Sequence, residues 1–377
     1  MNRSHLAVAI LASLCATATL AAERNQTRFI LQHTDGSQLM TGDTLVADGE
    51  GKAALYRGNN LVAVLHDPED IAGEAPGNDA LYITDAEGNR VGDLASFKGD
   101  LFLSHEAPQI VYLKRDLVAA RASADLAKDK PSTQASSSVL MTLHGGNVLV
   151  ANKTKAIFWG SWSNPGDIIS GIDSFFSGWG SSGMAGDSTE YYGTTDGHVT
   201  SSSTYLGHTI DSSTPPKRAL STSGAVSEAC KITGNNPDPN AVYFIYTSTG
   251  AGHVNYCAWH SWGSCSNGAP IQVAYMPNIT GIAGCDPQSD VTSESEGLAA
   301  LANVTSHELS EATTDPRGDG WFDASNAENG DKCAWSFHND VSLSNGSRWK
   351  LQMEWSNAAY SAGTGYANSS GQKGCLQ

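Results

Sequence analysis

The sequence predicts two domains: a small β-rich N-terminal domain, then an α/β or α+β domain of zincin-like type, with disulfides and a metal-binding helix laid on a sheet. Three observations carry this expectation. From Glu23 to about Tyr112, short apolar runs alternate with turn signals. All nine tryptophans and six of the seven cysteines lie beyond a Ser-rich stretch at 131–138. The run Ser293 to Asp315, stopped by Pro316, has the apolar spacing of one amphipathic helix and carries His307, Glu308 and Glu311.

Taken in order, residues 1–22 join a basic start at Arg3 to an apolar run from Leu6 to Leu20 and small residues at Ala21 and Ala22. That is the pattern of a cleaved secretory signal, and the run is too short to serve as a membrane anchor. The expected destination is the extracellular space or a periplasm. The chain carries 22 basic and 39 acidic residues, a formal charge of −17 that excludes nucleic acid as a natural partner.

Residues 23–127 form the expected β-rich accessory or pro-domain. Turn signals stand at Asp35-Gly36, Asp48-Gly49, Gly58-Asn59 and Glu87-Gly88-Asn89, and Leu61 to Leu65 and Ala80 to Ile83 supply strands. A helix is expected from Leu113 to Lys128. Residues 128–138 have linker composition and separate the two domains.

In the second domain, 139–377, Lys155 to Trp159 reads as a buried strand, and Ile168, Ile172, Phe175, Phe176 and Trp179 mark a helix. Further strands are expected at Ala241 to Thr247 and Ile271 to Met276, with a helix near Ser221 to Ile232. The metal-site helix should span 294–314, with Ser293 and Glu296 as its capping box and Pro316 as its stop. Residues four apart on a helix lie one above the other, so His307 and Glu311 can converge on one cation. In H-E-x-x-H metallohydrolases the intervening glutamate is the general base on a metal-bound water, the role this pattern gives to Glu308. The bland alternative is a solvated His-Glu patch. No G-x-S-x-G elbow and no P-loop lysine pattern is present, so the sequence supports neither a serine hydrolase nor a phosphate cradle.

Without Cys15, which lies in the signal, six cysteines remain, and they permit fifteen pairings. The favoured set is Cys257 with Cys265, Cys333 with Cys375, and Cys230 with Cys285.

A set of segments carries a resemblance. His144-Gly145-Gly146, A-I-F-W-G-S-W-S at Ala156 to Ser163, Val242-Tyr243-Phe244 followed by Thr247-Ser248, C-A-W-H at Cys257 to His260 and the His307 helix resemble, in that order, the EXORDIUM or phosphate-induced protein family. The resemblance runs from about His144 to the C-terminus and implies a secreted protein associated with the cell wall space. Members that keep the His-Glu pair follow it with a turn and an E-x-G-D-x-C segment, matched here by Thr314-Asp315-Pro316 and by Glu328 to Cys333. The resemblance therefore makes Glu328 the first choice for the third metal ligand and Asp331 the second. It also brings in His260 and His144 as alternative ligands or as groups around the site.

The expected function is that of a secreted metal-dependent hydrolase, peptidase-like, with zinc held by His307, Glu311 and Glu328 and with Glu308 as base. Its substrate would be a peptide or a cell-wall-associated amide. The alternative is a noncatalytic extracellular or cell-wall-associated binding module, with calcium as a structural ion.

Overall fold

A computed structural model describes residues 109–119, 139–162, 166–287 and 294–377 in full, and the backbone of seven strands between Arg28 and Glu106. The chain divides into two compact units, Met1–Pro108 and Gln109–Gln377.

The first unit holds one seven-stranded sheet whose strands, in spatial order, are Arg90–Asp93, Tyr82–Thr84, Asn60–His66, Ala53–Arg57, Asp43–Ala47, Arg28–His33 and Leu101–Glu106. Every pairing is antiparallel. The expected turn signal Gly58-Asn59 lies between two of these paired strands, Ala53–Arg57 and Asn60–His66. The signal segment 1–22 and the linker 128–138 lie outside the described residues, as does most of the helix expected from Leu113 to Lys128.

The second unit is mixed α/β. Its central sheet contains β1 (Ile110–Leu113), β2 (Asn152–Trp159), β3 (Ser203–Asp211), β4 (Ala241–Thr247), β5 (Tyr256–Ser264) and β6 (Pro270–Pro277), in the order β3-β2-β4-β6-β5-β1. The strands β3, β2, β4 and β6 run parallel, while β5 is antiparallel to both β6 and β1. Central parallel strands are covered on both faces, so they read as unbroken apolar runs, and all seven residues of β4 are buried. The first strand, β1, belongs to this sheet although its residues Ile110 to Tyr112 fall within the stretch expected to form the N-terminal β-rich domain.

Side chains alternate across the sheet. Ile157, Tyr243, Ile245, Val273 and Tyr275 point to one face, where Ala225, Val226 and Ala229 of one covering helix lie. Ala156, Phe158, Val242, Phe244, Tyr246, Ala274 and Met276 point to the other, against Phe175, Phe176, Leu301 and Val304. The helices that bear on the site and its sheet are α1 (Ile168–Trp179), α2 (Thr222–Thr233), α3 (Glu296–Thr314) and the one-turn α4 (Asn329–Lys332). The helices α1 and α3 share the second face with the C-terminal segments.

The start of α3 differs from the expectation. Its cap is Ser295, whose hydroxyl accepts from the Leu298 amide at 3.2 Å, and the helix begins at Glu296 rather than 294. A tertiary contact decides this: Asp167 accepts from both the amide and the hydroxyl of Ser295, at 3.0 and 2.8 Å, and so fixes that residue as the cap.

Three disulfides close the second unit: Cys230–Cys265, Cys257–Cys285 and Cys333–Cys375. The last is as expected and the other two are not. Cys257 lies near the start of β5 and Cys265 just past its end. Eight residues of extended chain hold them roughly 25 Å apart, far beyond bonding reach. Instead Cys230, buried in the last turn of α2, bonds Cys265 just past the end of β5.

Candidate metal centre

Three elements build the site. The helix α3 contributes His307, Glu308 and Glu311; β5 contributes His260; and the segment returning through α4 contributes Glu328 and Asp331. Strand alternation sends Trp259 to the α2 face of the sheet and His260 to the α3 face. The return segment is tied down by Cys333–Cys375 directly after α4.

The four α3 and β5 side chains and Glu328 are fully buried or within 1% of it. This overturns the picture of a solvated His-Glu patch. The helix α3 is buried on all sides rather than on one apolar stripe, because its polar residues meet buried partners. Asn303 Nδ2 donates to Tyr112 Oη at 3.2 Å, Thr305 Oγ1 pairs with Tyr246 Oη at 2.9 Å, and Thr313 Oγ1 accepts from Asn152 at 3.1 Å.

Two imidazole-carboxylate groups result. In the first, His307 Nε2 lies 3.1 Å from Glu311 Oε1 and 3.8 Å from Asp331 Oδ1. In the second, His260 Nδ1 lies 2.9 Å from Glu308 Oε2 and 3.5 Å from Glu311 Oε2. In each group the ligand atoms lie within 4.8 Å of one another, close enough to hold a metal ion. Of the two return-segment carboxylates expected as a third ligand, the second choice, Asp331, is the one grouped with His307 and Glu311, whereas Glu328 Oε2 lies 3.7 Å from the other nitrogen of His260.

His144 is not brought into either group. It is itself exposed and stacks on Phe322 with centroids 3.5 Å apart, and its Nε2 meets Thr142 Oγ1 and the Phe322 carbonyl, each at 3.2 Å, beside the Thr142–Leu143 and Trp321–Phe322 pairing. Asp315 is the helix-end residue its proline neighbour suggested, accepting from the Gly320 amide at 2.8 Å.

The sequence reading missed Tyr112, Gln352 and Glu354. The Tyr112 ring stacks on His307 at 3.8 Å and on Trp335 at 4.7 Å. Gln352 Oε1 accepts from Tyr112 Oη at 2.5 Å and from the Trp335 amide at 3.2 Å, while its Nε2 donates to the Gly330 carbonyl at 2.9 Å. The backbone amide can only donate and the carbonyl can only accept, so the side-chain amide has one orientation. Its Nε2 also stands 3.0 Å from His307 Nδ1, a contact whose donor and acceptor roles depend on the imidazole tautomer. Trp335 reaches this position with φ of 58°, a left-handed backbone rare for so bulky a residue.

Electrostatics follow from the inventory. Five carboxyls, Glu308, Glu311, Glu328, Asp331 and Glu354, share two imidazoles. Lys332, the lysine next to Asp331, is engaged by Asp323 at 2.7 Å. Burial pushes the Glu308 carboxyl well above the usual carboxylate range, and Glu311 and Asp331 push it further. Glu354 is raised in the same direction by burial and then by Glu311. For His307, burial favours the neutral ring, but the Glu311 and Asp331 carboxylates outweigh it and raise the ring above its ordinary value. Glu308 Oε1 is buried without a hydrogen-bond partner. A buried site this rich in carboxyls needs either protons or a cation, and imidazole with carboxylate oxygen is a donor set that fits zinc.

Comparison with protein-family models, with curated proteins and with solved structures finds no match. The EXORDIUM resemblance rests on the sequence segments alone.

Proposed function

We propose that the chain is a secreted, zincin-like metal-dependent hydrolase acting on a peptide or cell-wall-associated amide. The observation that carries this reading is the pairing, around one helix turn, of a metal-capable group with a carboxyl placed for proton transfer. His307, Glu311 and Asp331 would hold the ion. Bound there, zinc would supply a Lewis acid and an acidified water.

Glu308 is the base in this reading. Its Oε2 takes the His260 Nδ1 proton in a 2.9 Å hydrogen bond, which orients the carboxyl, and its Oε1 is left for the water. A carboxyl whose proton affinity is raised by burial is suited to accept a proton and pass it to a leaving amine. Three disulfides suit an oxidising compartment, and among the described residues no helix is long and apolar enough to cross a membrane.

One observation favours the alternative, a noncatalytic module with a structural cation. Of the five grouped residues only Asp331 has substantial exposure, with 27% of its side chain accessible, so any substrate would approach from that side. Metal analysis of protein purified without added metal, with and without His307→Ala, joined to a peptide-hydrolysis assay, separates the two. Zinc lost on substitution together with turnover supports the hydrolase. Calcium, or a bound metal with no turnover on any peptide or amide tested, supports the structural site.

A further inference from the structure

We infer that the site takes a second divalent cation beside the first, with Glu311 as the shared ligand, and that this second ion closes the site by occupying Glu308. The inference rests on the reading above in using Glu311 as a ligand to the first ion and Glu308 as the base.

The two oxygens of Glu311 face different imidazoles. Oε1 is the one near His307 Nε2, at 3.1 Å, and Oε2 the one near His260 Nδ1, at 3.5 Å. Two donors each about 2.1 Å from a tetrahedral ion stand roughly 3.4 Å apart, so both spacings suit a metal bridging them. A carboxylate that splits its oxygens in this way is the usual bridge of a two-metal centre, with ions about 3.5–4 Å apart. Glu308 completes the second group, and its Oε1 is buried without a hydrogen-bond partner.

His260 can give up Nδ1 to a cation only if its proton is carried on Nε2. Glu328 Oε2 stands 3.7 Å from that nitrogen, so a shift of about half an ångström would bring it within hydrogen-bonding distance to accept the proton. A carboxylate behind a metal-bound imidazole fixes the tautomer and strengthens the ligand. Glu328 thereby has a role distinct from the one the sequence suggested: it supports a ligand of the second ion. Because that ion displaces the His260–Glu308 hydrogen bond and sits beside another dication, it binds more weakly than the first. Once bound, it holds the lone pairs Glu308 needs as a base.

Cobalt(II) titrated into the metal-free protein tests this, with bound metal counted by equilibrium dialysis and the spin state followed by electron paramagnetic resonance. The expected result is two equivalents, the second at least about tenfold weaker, and loss of the cobalt signal through exchange coupling as the second binds. His260→Ala should bind one equivalent with an uncoupled spectrum, its fold checked by circular dichroism. Saturation of the native protein at one equivalent overturns the inference, as do two equivalents without coupling or a His260→Ala protein that still binds two. A single equivalent that His307→Ala abolishes leaves the one-metal reading standing while removing this one; no cobalt bound at all removes both.

Discussion

A Cβ added to Gly330 would come within 2.8 Å of His307 Nδ1 and 3.1 Å of Glu311 Oε1. The backbone of the return segment thus lies directly against both side chains, and the glycine is required for space. Its φ is not in the left-handed region, so a conformational explanation does not apply. His307 cannot retreat, since Tyr112 stacks on its face and Gln352 holds its edge. Gly330→Ala should therefore lower metal affinity by about 10–100-fold, the usual cost of misplacing the groups around a ligand, and destabilise by about 1–3 kcal/mol as an overpacked core does. Metal-binding calorimetry and denaturant unfolding read the two effects separately.

Glu308→Gln preserves shape and keeps an amide oxygen to accept from His260. The first metal group does not include Glu308, so the variant should retain one ion while turnover falls by at least about a hundredfold. Loss of that first ion would mean Glu308 is its ligand.

The metal-free protein should lose stability as pH rises. Glu308, Glu354 and Asp187 all have proton affinities raised by burial, with Asp187 pushed up to about 7. A carboxyl whose folded pKa exceeds its unfolded one is fully favourable to folding below the unfolded value, and that contribution is lost as pH rises through the folded value. For Asp187 the window runs from about 4 to about 7, and stability falls there by at most about 1.4 kcal/mol for each step of one in pH. Asp187→Asn should flatten the decline between about pH 4 and 7 in urea unfolding, and saturating zinc should flatten it further because its binding strengthens as its ligands deprotonate.

Cys333–Cys375 holds the segment that delivers Glu328 and Asp331. Replacing both cysteines by serine should cost about 2–4 kcal/mol and weaken metal binding more than removal of Cys230–Cys265, which lies on the α2 side of the sheet. Thermal unfolding with and without metal measures both.

Much of the second unit was legible because its elements obey simple periods. Ile168 to Trp179 and Ala241 to Thr247 are bounded as the sequence indicates, since period-3.6 and unbroken apolar runs leave little choice. His307, Glu308 and Glu311 were legible from one helix turn. Tyr112 was not, because nothing local shows that the strand before Lys114 pairs with β5, nearly 150 residues later in the chain. Gln352 and Glu354 alternate with Leu351, Met353 and Trp355, which reads as a half-exposed strand. All five are buried, because the polar positions face a polar interior. The disulfides failed for a related reason: sequence proximity suggested a loop where β5 runs straight.

The helix α3 has no solvent-facing side from Gly297 to Thr314. Such a helix has no face from which to fray, so its amides should exchange with solvent water only when the whole unit opens. An ion held by its side chains would instead enter and leave past Asp331, with 27% of its side chain accessible. Chelators would then strip the metal slowly through that opening, while the helix that carries its ligands stays closed.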